Sequence, residues 1–159
     1  MSTKEEQLRY IEELALSYEQ AGQPRASGRV LGWLLLCDPP HQTMDDLVQA
    51  LQISKSSVST ATRQLIQVGL IERISLPGER RDFYGVGAGI WTKIMQGGLI
   101  QITALRQLAE KGLALLADEM PERRARLQEM RDMYAFFERE MPILLARWEA
   151  ERKQGQLDE

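Results

Sequence analysis

Apolar residues recur along this chain at helical spacing, break briefly into alternation, and then return to helical spacing for the rest of its length. Leu8, Ile11, Ala15 and Tyr18 follow a Thr3-Lys4-Glu5-Glu6 capping-box pattern and run to Gly22 and Pro24. This predicts an amphipathic helix of about five turns whose narrow stripe packs on another element or on a second subunit. A second helix is predicted from Arg25 to Cys37, with Val30, Leu31, Leu34 and Leu35 inward. Gly28 and Gly32, four residues apart, predict a close helix neighbour. Asp38-Pro39-Pro40 then forces an extended turn, because proline lacks a donor and disfavours helix in the residue before it.

The next two segments are short. Thr43-Met44-Asp45-Asp46 has the form of a capped start, and Leu47, Val48, Ala50 and Leu51 supply a small apolar face. After a tight turn, Ser54 is a new cap for a helix over 54–68, with Val58, Ala61 and Leu65 inward and Gly69 placed to end it in the left-handed region. Two short helices joined by a tight turn form a helix-turn-helix arrangement. Alternation then begins. Leu70 to Ser75 and Asp82 to Val86 read as two strands of a hairpin around Leu76-Pro77-Gly78-Glu79-Arg80-Arg81, whose Pro-Gly pair marks the turn.

Beyond Gly87-Ala88-Gly89, the positions Trp91, Met95, Gly98, Ile102, Leu105, Ala109, Gly112 and Leu116 step by four and three, a coiled-coil-like seam. Pro121 opens a last long helix, where Leu127, Met130, Tyr134, Phe137, Met141, Leu144 and Trp148 continue that spacing. Pro142 is expected to kink or split it, and the polar tail after Arg152 to fray. The fold class expected is mainly α with a small β-hairpin, a winged helix-turn-helix over 23–87. An N-terminal arm over 1–22 and a helical region over 88–159 are expected to dimerise.

Composition narrows the function. The 159 residues include one cysteine, Cys37, and one histidine, His41, so neither an internal disulfide nor a clustered metal site is expected. The start of the chain lacks a signal-like apolar block, and no run approaches the roughly 20 apolar residues of a membrane span. A cytoplasmic location is expected. The net charge of −3 opposes nucleic-acid binding as a total, but its distribution does not. Between Ser54 and Arg81 stand Lys55, Arg63, Arg73, Arg80 and Arg81 against only Glu72 and Glu79, so the remainder carries the acid.

That local surplus coincides with a helix whose polar side holds Ser54, Lys55, Ser56, Ser57, Ser59, Thr60 and Arg63 and no carboxylate. Solvent faces usually mix Glu with Lys, whereas a helix in a major groove needs donors and cations near its start and no acid. This pattern points to duplex DNA. Arg80 and Arg81 on the Pro-Gly loop suit phosphates or a minor groove, while Glu79 and Asp82 can also hold them in local ion pairs. The glycines of Gly85-Val86-Gly87-Ala88-Gly89 lack the strand–turn–helix context of a nucleotide loop, and nothing resembles a nucleophile motif, so an enzyme is not expected and no cofactor is implied.

The run Arg29-Val30-Leu31-Gly32-Trp33-Leu34-Leu35-Leu36, with Ile53-Ser54-Lys55-Ser56-Ser57-Val58-Ser59, Gly69-Leu70-Ile71-Glu72-Arg73 and Pro77-Gly78-Glu79-Arg80-Arg81-Asp82-Phe83-Tyr84, resembles the MarR superfamily and within it the GbsR-like branch. The match spans roughly Arg25 to Gly87. It implies a homodimeric transcription regulator, more naturally a repressor, whose two heads read a palindromic operator. It also implies that Lys55, Ser56, Ser57, Ser59, Thr60 and Arg63 face the major groove and that Arg80 and Arg81 sit in the wing. Branch members often carry Gly-Asn where Ser56-Ser57 stand here, and a larger apolar residue at Thr62, a difference that bears on operator sequence. A small-molecule effector at the junction of winged domain and dimer helices is a further expectation. Tyr18, Trp33, Trp91, Tyr134 and Trp148 offer ring faces suited to a quaternary ammonium group, although their helical spacing equally fits packing. The rival reading is a winged interaction module that pairs with protein and not with DNA.

Overall fold

The computed structural model describes residues 3–155. The element order is α1 (Lys4–Gln20), α2 (Arg25–Leu36), β1 (Gln42–Thr43), α3 (Met44–Leu51), α4 (Lys55–Gln67), β2 (Glu72–Ser75), β3 (Asp82–Gly85), α5 (Ile90–Leu115) and α6 (Pro121–Gly155). The chain divides into two compact units, one ending at Trp91 and one beginning at Thr92.

In the first unit the starts of α1 and α3 are built as their sequences predict. The Thr3 hydroxyl accepts from the Glu6 amide while the Glu6 carboxylate accepts from Thr3 N–H, and Thr43 with Asp46 repeats the arrangement at the head of α3. Each box satisfies amide donors that the first turn of a helix leaves without partners. Val30, Leu31 and Leu34 from α2, Leu47 from α3, Val58, Ala61 and Leu65 from α4, Ile71 and Tyr84 form one continuous core. Helix α1 lies on α2, burying Ile11 and Ala15, whereas Leu8, expected on the inward stripe, is 40% exposed. Leu14 packs against the core instead. Gly28 and Gly32 meet α1 at close range, as their spacing predicts. Between the same two helices Glu12 accepts from Arg29 Nε at 2.5 Å and from Arg25 at 2.9 Å. The Arg29 guanidinium first, then Arg25, holds the Glu12 carboxyl below its ordinary range against the opposing effect of burial.

The sheet has one strand more than the expected hairpin. Its order is β1-β3-β2, all antiparallel, with Gln42 opposite Tyr84 and Thr43 opposite Phe83 on one side of β3, and Arg73 opposite Tyr84 and Ile74 opposite Phe83 on the other. A two-residue strand carries no alternation to read, which is why β1 is silent in the sequence. Gln42 is buried all the same. Its amide donates to the Pro39 and His41 carbonyls and accepts from the Trp33 indole at 3.3 Å. The wing strands are shorter than predicted, beginning at Glu72 and ending at Gly85.

In the second unit α5 and α6 run antiparallel. Thr103 donates to Glu138 at 2.7 Å, Arg106 pairs with the same carboxylate, and Leu127 closes over Gly112. Ala109 and Leu113 are buried, but α6 contains no buried residue at all. Pro142 neither splits nor ends α6, which continues through Arg152 to Gly155 where fraying was expected, and the last four residues of the tail lie outside the described residues. No helix among the described residues is long and apolar enough to cross a membrane.

Candidate nucleic-acid interface

Helix α4 is positioned by three things its sequence supplies. Val58, Ala61, Thr62 and Leu65 are buried and fix its inner side. Ser54 caps its start, its hydroxyl accepting from the Ser57 amide at 3.1 Å. Helix α3 hands over to it through a turn at Gln52, which adopts φ 53°, the left-handed region that non-glycine residues seldom occupy. At the far end Gly69 takes φ 78°, as predicted. The Ser27 hydroxyl, itself buried, donates to Gln64 Oε1 at 2.9 Å and ties the first turn of α2 to the last turns of α4.

The outer side of α4 carries the residues singled out above. Ser54, Lys55, Ser56, Thr60 and Arg63 are exposed, and Ser57 and Ser59 are half-buried. Ser54, Ser56 and Ser57 form a hydroxyl cluster, with oxygen separations of 3.0 Å and 2.8 Å from Ser54. No carboxylate lies on the helix. The exposed side divides into two flanks. Ser56, Ser57 and Thr60 line a shallow concavity of about 290 Å³ with Pro24 and Ser27 at the start of α2. Ser59 and Arg63 line another of about 570 Å³ with Met44, Arg73 and Tyr84. Arg73 was not among the expected contact residues. Its place on β2, opposite Tyr84, brings it to the Arg63 flank, and the strand alternation after Gly69 is the signal that carries it there.

The wing places Arg80 and Arg81 at an exposed tip behind Gly78, whose φ of 82° makes the turn. Arg81 reaches Glu79 at 3.2 Å and lies 5.9 Å from the centre of the Phe83 ring. Arg73 pairs with Asp82 at 3.3 Å across the hairpin, and Lys55 with Asp45 of α3 at 2.9 Å. Among the described residues Arg80 makes no ion pair, so the tip presents one unpaired guanidinium. Arg81 is also near enough to the start of α3 to favour the ionised Asp46, whose carboxyl is held below its ordinary range chiefly by the Thr43 hydroxyl and amide. Arg81 lies over Phe83, and Phe83 stands opposite Thr43 at the head of α3, so the wing tip and the beginning of the helix-turn-helix share one side of the unit. Exposed pairs of this kind contribute little to stability and exchange readily with other anions.

An aromatic contact ties the wing strand to the loop before β1, His41 and Phe83 standing edge to face with ring centres 5.2 Å apart. Cys37 is half-buried, and burial pushes its thiol above the ordinary range, which disfavours the thiolate. Among the described residues no three metal-binding side chains come together.

Similarity to known proteins agrees with this geometry. A MarR family model matches residues 22–82, which lie within the first unit, and a model for MmpR5-like MarR family transcriptional regulators matches residues 89–151. The HTH-type transcriptional regulator MmpR5 of Mycobacterium tuberculosis (strain ATCC 25618 / H37Rv) is 34% identical over 148 residues, which covers 93% of this chain and 90% of that protein. The HTH-type transcriptional repressor OpcR of Bacillus subtilis (strain 168) is 28% identical over 136 residues, covering 70% of this chain and 73% of the repressor. A crystal structure described as a transcriptional regulator superposes with a TM-score of 0.81 at 34% identity, covering 91% of this chain and 99% of the other. The chain thus belongs to the MarR family, and is a winged helix-turn-helix, DNA-binding transcriptional regulator and not an enzyme.

Proposed function

We propose that the chain acts as a homodimeric repressor whose α4 helices enter successive major grooves of a palindromic operator, with the 76–82 wing of each head against the flanking backbone. The observation that carries the reading is the exposed, carboxylate-free start of α4, where Ser54, Lys55, Ser56 and Thr60 stand beside the half-buried Ser57 and Ser59, and Arg63 lies one turn on. Hydroxyls and backbone donors position a helix on phosphates and base edges, and Arg63 suits a guanine edge or a phosphate.

Pairing of two chains is supported by the second unit. Ile100, Leu108 and Leu115 on α5 and Met133, Phe136, Ile143, Leu144 and Trp148 on α6 are each at least half exposed. A stripe of that extent is unusual on a monomer and natural on a surface that meets its own copy. The region 88–159, with the arm over 1–22, is the part we assign to dimerisation, and 23–87 the part assigned to DNA. Two linked heads also combine their affinities on a two-fold site, which a single head does not. Within the family we place the chain in the GbsR-like branch on its head motif, Ser54-Lys55 followed by Pro77 to Tyr84, while the helical region matches the MmpR5-like model. A cytoplasmic location and a small-molecule effector acting on the dimer helices belong to the same reading and rest on the sequence.

Binding of the full-length protein to a labelled random-sequence duplex, followed by fluorescence anisotropy over a salt series, tests the proposal. The logarithm of affinity is expected to fall linearly with the logarithm of salt, and Lys55→Ala or Arg81→Ala to reduce the slope by roughly 0.9 for each phosphate left without its cation. Solution mass is expected to remain that of a dimer in both variants. An affinity insensitive to salt, or unchanged slopes in both variants, would favour the protein-partner reading.

A further inference from the structure

We infer that Asp45 sets DNA affinity by holding Lys55, so that a phosphate must displace this carboxylate before the first cation of α4 contributes to binding. The inference rests on the DNA-binding reading above. Asp45 lies in the first turn of α3 and Lys55 is the first residue of α4, and their side chains meet at 2.9 Å across the turn. The capping of α3 does not need Asp45, because Thr43 and Asp46 already supply both halves of the box. Its carboxylate has Lys55 as its one hydrogen-bonding partner among the described residues. Both side chains are open to solvent, at 70% and 77% exposure, so the pair is held weakly and a phosphate can compete for the ammonium.

This pair differs from the two in the wing. Arg81–Glu79 and Arg73–Asp82 each join residues of one hairpin and travel with it. Lys55–Asp45 joins two helices and places an acid beside the start of α4, a helix that carries none of its own. An anion there both occupies Lys55 and opposes the approach of a phosphate. The consequence is a head that binds duplex DNA less tightly than its cations allow.

The experiment compares the full-length protein with Asp45→Asn, each also in a Lys55→Gln background, by anisotropy on a random-sequence duplex at low salt. Asp45→Asn is expected to tighten binding roughly two- to fivefold per head, with the gain shrinking as salt rises. In the Lys55→Gln background the gain is expected to fall below half, on a logarithmic scale, because the ammonium it acts through is absent. A thermal melt identifies any loss of fold, and Asp45→Ser, which also suits a helix start, is expected to repeat the gain. Unchanged or weaker binding by folded Asp45→Asn and Asp45→Ser overturns the inference alone, as does an equal gain in both backgrounds. Absence of duplex binding by every protein, wild type included, overturns the DNA-binding reading and this inference with it.

Discussion

A β-carbon placed on Gly28 would stand 2.6 Å from the Cα of Ala15 and 3.0 Å from the Cβ of Tyr18, so α1 and α2 touch backbone to backbone at this point. The obstacle is main chain, which cannot swing aside as a flexible side chain can. Alanine ordinarily favours a helix over glycine by about 1 kcal/mol. Here the clash opposes that gain, since forced overpacking costs about 1–3 kcal/mol and sometimes more. Gly28→Ala is therefore expected to destabilise the first unit, lowering the urea midpoint of the full chain. A midpoint equal to or above wild type would show that α1 moves away freely, and that the arm is not fixed to the head.

The carboxylate of Asp46 accepts from both the hydroxyl and the amide of Thr43, at 2.6 and 2.9 Å. Both bonds favour the ionised form and hold its folded-state value below the unfolded one. The stabilisation it provides is then complete above the unfolded aspartate value and is lost as the pH falls through the folded one. Thr43→Ala is expected to cost about 1 kcal/mol near neutrality. The stability difference between wild type and Asp46→Asn is expected to hold constant at neutral pH and to narrow on acidification through the aspartate range. Chemical denaturation at a series of pH values checks this, and a difference that widens toward acid would reverse the sign argued here.

What the sequence made legible, and what it did not, follows from how many residues each feature engages. The starts of α1, α3 and α4 were readable, because Thr3, Thr43 and Ser54 cap locally and their partners lie within three residues. The wing turn at Gly78 and the helix end at Gly69 were readable because each needs a positive φ at one residue. Strand β1 was not, since its two residues are defined only by their opposites, Tyr84 and Phe83, far along the chain. The tight turn before Ser54 was readable, but not its left-handed residue, because Gln52 carries that conformation without glycine. The exposed polar residues of α4 were visible as an acid-free pattern. Their counter-ions were less so. Glu79 holds Arg81 as a near neighbour, but Asp82 pairs with Arg73 across the hairpin and not with Arg80 or Arg81, and Asp45 meets Lys55 only through the helix-turn-helix geometry, which composition does not express. Pro142 stays inside a continuous α6 because one missing amide bond is outweighed by the many others in a helix of 35 residues.

Backbone amide hydrogen exchange, recorded for the full-length protein with and without a duplex it has selected from a random-sequence pool, tests most directly whether the outer side of α4 lies against DNA. Slowed exchange is predicted over 54–63 and at the wing tip over 79–82, with little change in the solvent-facing turns of α6. Protection confined to residues 92–155, with 54–63 exchanging as freely as in the unbound protein, would contradict it.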